Sequence, residues 1–252
     1  MCIKNYYLAN SYRYAEKIAV PVEGLYKIPN GWSFREAAGL YVTAPTSYAA
    51  LVERANLKAD ETCLVLAAAG GVGIMAVQIA KALGATVIAA CSPTKAAIAK
   101  RYGADHYVNY NEKDWIDQVK KLTGGKGVNV VYDPIGRVEQ SLRLVAWDAR
   151  ILVIGFAAGT IEKVAMNRVL LKNSQIIGLH WGAYKLNQPQ TIPEVWNGIF
   201  KMVAEDKIKP TVYDEKEYKG LESVASALVA LGNRDTWGKV IIDVDQSENS
   251  KL

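Results

Sequence analysis

The chain has 252 residues, 50% of them hydrophobic and 22% charged, with 20 Gly, 8 Pro, 3 Cys and 2 His. This composition excludes collagen-like, low-complexity and disulfide-dense secreted classes, and the length is ample for a sizeable core. The formal net charge of +5 is too small to announce nucleic acid and suits an anionic small molecule.

The first 30 residues mix Tyr and Val with the turn formers Pro21, Gly24 and Pro29, which predicts short strands and loops. They lack the apolar run and small-residue cleavage site of a signal peptide. Ser33 followed by Glu36 is a capping-box pattern and predicts a helix over 33–40. Pro45 is expected to open a long helix through Arg54. From residue 62 the rhythm becomes regular. Residues 62–66 are a short continuous apolar run, the mark of a strand buried on both faces. A helix over 71–83, a strand over 86–90, a helix over 94–101 and a short strand over 106–109 follow. Next come a helix over 112–122, a strand over 128–132 and a helix near 138–145. Strands over 151–154 and 173–179 complete the series. The stretch 63–80 is long and apolar, but Gly70, Gly71, Gly73 and Gln78 interrupt it, so it reads as strand, turn and helix rather than a membrane span. The tail is expected to be mixed: a strand over 211–213, a helix over 221–231, a strand over 239–244 and a frayed end over 245–252.

Strands alternating with helices imply a doubly wound parallel α/β sheet of Rossmann type. Its first turn, Ala67-Ala68-Ala69-Gly70-Gly71-Val72-Gly73, follows a buried strand and opens a helix. Glycines there let the backbone approach a pyrophosphate at a helix N-terminus, so dinucleotide binding is expected. An NAD-preferring site carries Asp or Glu at the end of the second strand. This chain has Cys91-Ser92-Pro93-Thr94-Lys95 instead. A hydroxyl at Ser92 and a cation at Lys95 suit a 2′-phosphate, which points to NADP, although Ser92 also reads as a helix N-cap and Lys95 as a first-turn lysine. Cys2, Cys63 and Cys91 show no CxxC spacing, which argues for a reducing compartment, here the cytoplasm, and against a structural zinc site.

The glycine turn, Ala76-Val77-Gln78-Ile79-Ala80-Lys81-Ala82-Leu83-Gly84-Ala85, Gly103-Ala104-Asp105-His106, Tyr132-Asp133-Pro134-Ile135-Gly136 and the closing Gly238-Lys239-Val240 together resemble the medium-chain dehydrogenase/reductase superfamily. The likeness is to its zinc-independent NADPH:quinone oxidoreductase branch (zeta-crystallin-like and quinone oxidoreductase-like), and it runs over about 14–244. The resemblance implies three segments. Residues 1–43 would be a remnant of an N-terminal GroES-like lobe, 44–181 a Rossmann NADP-binding domain, and 182–252 a segment returning to that lobe. It implies that Gly71 and Val72 lie under the pyrophosphate and that Ser92, Lys95 and Tyr110 surround the 2′-phosphate. Thr46 would approach the nicotinamide, with Thr43 and Ser47 offering similar hydroxyls. Phe156 would flank the cofactor and Arg234 would reach it from the chain's end. Val42 stands where zinc-dependent relatives have a cysteine ligand, so no metal is expected. No catalytic residue is assigned, Tyr41 and His180 being candidates for a proton donor.

The expected activity is NADPH-dependent hydride transfer to a quinone or other electron-poor enone. The alternative is a truncated NADPH-binding module without turnover, because most of the GroES-like lobe has no counterpart. Lys120, Lys121 and Lys126 read as a solvated helix end, so RNA is not expected as a partner. A homodimer through the edge strand near 175–179 is expected, since an exposed strand of that hydrophobicity invites pairing.

Overall fold

A computed structural model describes residues 2–3, 14–20 and 22–244. The expected frayed end over 245–252 lies outside the described residues. The chain divides into two compact units, Thr43–Lys209 and a second made of Met1–Val42 with Pro210–Leu252.

The second unit opens with β1 (Cys2–Ile3) antiparallel to β2 (Leu25–Tyr26), then α1 (Phe34–Ala38). Helix α1 is shorter than expected, but its capping box is complete. Glu36 N donates to Ser33 Oγ at 3.3 Å, and Ser33 N donates to Glu36 Oε2 at 2.7 Å.

The larger unit begins with α2 (Thr43–Tyr48), which runs on into a π-helical turn, Ala49–Arg54. The helix expected from Pro45 to Arg54 therefore starts two residues earlier. Pro45 still falls in the first turn, where no backbone donor is lost. Then come β3 (Thr62–Leu66), α3 (Gly71–Ala82), β4 (Thr86–Ala90), α4 (Ala96–Arg101) and β5 (His106–Val108). A 3-10 turn, Pro93–Lys95, leads into α4. The second half holds α5 (Trp115–Leu122), β6 (Val128–Asp133), α6 (Val138–Ser141), β7 (Val145–Val153), α7 (Met166–Leu171) and β8 (Gln175–Gly178). Helix α6 is short because residue 145 already pairs with Val128 across a bulge, so β7 begins six residues before the expected 151.

The six strands are parallel in the order β5-β4-β3-β6-β7-β8. The chain winds from β3 outward to β5, crosses back to β6 and winds the other way. That leaves a topological switch between β3 and β6, where such sheets hold ligands at their carboxyl ends. Leu64 and Leu66 of β3 join Ile88, Val108, Val131 and Ile151 in one layer, closed by Trp115, Ile116 and Val119 of α5 with Val138 and Leu142. Alternation turns Cys63 and Val65, both fully buried, toward the opposite layer.

After β8 the unit closes with α8 (Tyr184–Asn187) and α9 (Thr191–Ala204). Residues 182–209, grouped with the returning segment in the sequence reading, fold with the sheet unit. The second unit resumes with β9 (Tyr218–Lys219), α10 (Val224–Gly232) and β10 (Ile242–Asp243), which is parallel to β9. The strand expected over 211–213 is only the bridge Val212↔Lys239. The strand expected over 239–244 is reduced to β10. Among the described residues no helix is long and apolar enough to cross a membrane.

Candidate dinucleotide site

Strand β3 ends in a sharp reversal. Ala67 takes φ +49°, Ala68 N donates to Ala90 O at 3.1 Å, and Gly70 N returns to Ala67 O at 2.9 Å. Helix α3 then starts, with Gly70 as its N-cap in extended conformation and no side chain to cap it. Ile74 N bonds back to Gly70 O at 2.9 Å. The amides of Gly71, Val72 and Gly73 thus stand outside the i→i−4 ladder, at the positive end of a 12-residue helix dipole. No acidic residue occupies the first turn. Gly73 is required by packing: a Cβ there would lie 2.2 Å from Ala67 O and 2.9 Å from Ala68 Cα.

At the end of β4, Ser92 is the N-cap of the 3-10 turn that ends at Lys95, yet its side chain makes no capping bond. Its hydroxyl instead lies 3.1 Å from Thr94 Oγ1. The N-cap alternative for Ser92 is therefore half right: the backbone position is a cap, and the hydroxyl faces another hydroxyl. Cys91, beside it, is buried, which pushes its thiol up to about 11.

Tyr110 follows β5 and packs on the sheet core. The Arg137 guanidinium lies over its ring at 4.8 Å and donates to Tyr110 O at 3.2 Å and Gln140 Oε1 at 3.1 Å. This cation was not singled out from the sequence. Asp133 at the end of β6 was named in a family motif but given no role; it is fully buried, and its carboxylate accepts from Ile135 N, Gly136 N and Arg137 N at 2.9, 2.8 and 2.6 Å. Burial raises the Asp133 carboxyl above the usual carboxylate range, against the pull of those three amides. The motif Asp-Pro-x-Gly was the available signal, since an Asp that turns its side chain back onto following amides favours this sequence. Phe156 follows β7, is 47% exposed, and packs on Gly136.

The structure thus brings six expected residues, Gly71, Val72, Ser92, Lys95, Tyr110 and Phe156, to the segments that follow the carboxyl ends of β3, β4, β5 and β7. Thr46 lies on α2 and is buried, next to Ser47, whose hydroxyl donates to Val72 O at 2.9 Å. Arg234 belongs to the other unit, at the end of α10, with φ +64°. Tyr41 also lies in that unit, and His180 is exposed after β8. The arrangement suits a dinucleotide: free amides for a pyrophosphate, and no carboxylate between residues 89 and 101 to repel a phosphate. A separate polar cavity of about 420 Å³ opens at the amino ends of the strands, lined by Arg54, Glu61, Asn129 and Arg150 among others. It contains none of the expected site residues.

The family model described as zinc-binding dehydrogenase matches residues 71–201. A quinone oxidoreductase-like protein 2 homolog of Nematostella vectensis is 35% identical over 235 residues, covering 92% of this chain and 64% of that protein. The crystal structure of a probable oxidoreductase from Mycobacterium abscessus superposes with a TM-score of 0.79 at 33% identity, covering 90% of this chain and 68% of that one. A quinone oxidoreductase of Pseudomonas syringae superposes at 0.76 with 33% identity, covering 89% and 69%. The chain spans about two thirds of the length of the curated relatives it matches. A nicotinamide cofactor is what this fold and family imply. Sheet order, glycine turn and relatives agree, and the chain belongs to the zinc-binding dehydrogenase family, in the quinone oxidoreductase-like branch of the medium-chain dehydrogenase/reductases.

Proposed function

We propose that this chain is an NADPH-dependent oxidoreductase acting on a quinone or other electron-poor enone without a metal ion. The observation that carries the cofactor choice is the end of β4, where Ser92 and Thr94 pair their hydroxyls in the turn that ends at Lys95, in a stretch of sequence over 89–101 that holds no acid. The amides of Gly71, Val72 and Gly73 would hold the pyrophosphate, and Ser92, Lys95 and Tyr110 the 2′-phosphate. Thr46 would contact the nicotinamide and Phe156 would cover it. When bound, the nicotinamide supplies the hydride; the protein's part is orientation and electrostatics. Lys95 and Arg137 contribute positive charge along the edge, while the Asp133 carboxylate is turned inward onto backbone amides and spends its charge there.

Metal-free action is proposed on one residue: Val42 stands where the resemblance places a cysteine ligand in zinc-dependent relatives. A quinone as acceptor is favoured by the relatives' names alone. The rival reading is a dinucleotide-binding module without turnover. NADPH and NADH titrations followed by NADPH oxidation with a panel of simple quinones and enones separate these readings. Tighter NADPH binding with turnover is expected. Binding without turnover on any acceptor favours the module, and equal affinity for both cofactors overturns the choice of NADPH.

The association proposed is a homodimer through β8. This strand is the last of the sheet, and Gln175 and Ile176 are exposed on it.

A further inference from the structure

A buried chain of hydroxyls links the core of the sheet to the glycine turn. Ser47 Oγ lies 2.9 Å from Val72 O and 2.9 Å from Tyr132 Oη. A carbonyl only accepts, so the single hydroxyl proton of Ser47 goes to Val72, and Tyr132 must donate to Ser47. The order is therefore fixed, from β6 through α2 to the first turn of α3. Ser47 and Tyr132 are both fully buried, so water cannot take over either contact.

Val72 is the second residue of α3, and its carbonyl shares a peptide unit with the amide of Gly73. That unit is planar and trans, so its C=O and N–H move as one rigid plate and point in opposite directions. A donor that anchors the carbonyl therefore aims the amide, and the Gly73 amide is one of the three left outside the helix ladder. The turn also passes close to Gly73, where an added Cβ would lie 2.2 Å from Ala67 O. We infer that Ser47, oriented by Tyr132, is a positioning residue for the pyrophosphate cradle, setting the direction of the Gly73 amide through the Val72 carbonyl. The inference rests on the dinucleotide reading above and extends it to two interior side chains that would touch no cofactor atom. Ser47 sits beside Thr46 on α2, so the same contact holds the segment expected at the nicotinamide against the turn expected at the pyrophosphate.

The test compares Ser47→Ala, Tyr132→Phe and the double variant with the full wild-type chain, well below its unfolding temperature. Two ligands are titrated: NADPH, and 2′-phospho-ADP-ribose, which keeps the pyrophosphate and lacks the nicotinamide. Ser47→Ala is expected to weaken both ligands about three- to tenfold, the scale of one neutral buried hydrogen bond. Tyr132→Phe keeps the bond to Val72 and should weaken both by a smaller factor. The double variant should be no weaker than Ser47→Ala alone, because Tyr132 acts through Ser47. A lowered unfolding temperature with wild-type affinity for both ligands in both single variants would make the chain purely structural and overturn the inference. Additive losses in the double variant would overturn the relay. A wild-type chain that binds neither ligand would refute the dinucleotide reading itself, and the inference would fall with it.

Discussion

Gly73→Ala puts two physical arguments in direct opposition. Helix propensity alone favours alanine over glycine inside α3 by about 1 kcal/mol. The contact geometry says the reverse, because the new methyl would meet Ala67 O at 2.2 Å and Ala67 C and Ala68 Cα at 2.9 Å. All three are backbone atoms of the turn itself, so no side chain can swing away. To reach even 3.0 Å from Ala67 O, the first turn of α3 must retreat by about 0.8 Å. Overpacking of this kind costs about 1–3 kcal/mol. The net expectation is destabilisation by up to about 2 kcal/mol, or a midpoint lowered by up to about 8 °C for a protein of this size. The same retreat moves the three free amides, so NADPH affinity should fall with stability. The control is Gly232→Ala at the end of α10, where a Cβ meets nothing within 4 Å; it should leave stability unchanged or slightly raised. Thermal unfolding and NADPH titration read both effects. A Gly73→Ala protein as stable as wild type, with wild-type affinity, would refute the reasoning.

Lys95→Glu places a carboxylate where a 2′-phosphate is expected. At about 4 Å a unit-charge contact on a half-exposed edge is worth about 1–4 kcal/mol, so NADPH affinity should fall at least tenfold while NADH affinity changes little; equal losses for both would count against Lys95. Pairing through β8 predicts a dimer by light scattering that Ile176→Lys converts to monomer, and a monomeric wild-type chain would remove the proposal. The Ser33–Glu36 capping box holds the Glu36 carboxyl below its ordinary range through the Ser33 amide. A lowered carboxylate stabilises above the unfolded value, and its contribution is lost as pH falls through the lowered folded value. Ser33→Ala keeps that amide and removes the hydroxyl, which donates to Glu36 Oε2 at 2.8 Å and accepts from Glu36 N; it should cost about 1 kcal/mol at pH 7, and only the share carried by the hydroxyl–carboxylate bond should fade in acid.

Much of the sheet was legible because β3 and β4 are buried on both faces and write themselves as continuous apolar runs. The glycine turn was legible because Gly73 answers to a contact that no other residue satisfies. Helix α9 escaped the sequence reading although Ile192, Val195, Trp196 and Ile199 repeat at helical spacing and are all buried. Pro193 and Gly198 look like breakers. Pro193 falls in the first turn, where it costs nothing. Gly198 is there because Tyr48 of α2 packs against it: a Cβ would lie 2.1 Å from the tyrosine hydroxyl. That partner is 150 residues away, and no local pattern reports it. The site divides the same way. Residues that follow a strand, such as Ser92 and Tyr110, are placed by the period of the fold. Ser47 and Tyr132 become a pair only when α2 packs on the sheet, 85 residues apart in sequence.

The most direct test of the central claim is a crystal structure grown with NADPH. The pyrophosphate is expected within hydrogen-bonding distance of the amides of Gly71, Val72 and Gly73, with the 2′-phosphate beside Ser92 and Lys95. A dinucleotide bound anywhere but the carboxyl ends of β3 and β4, or a 2′-phosphate turned away from Lys95 into solvent, would contradict it.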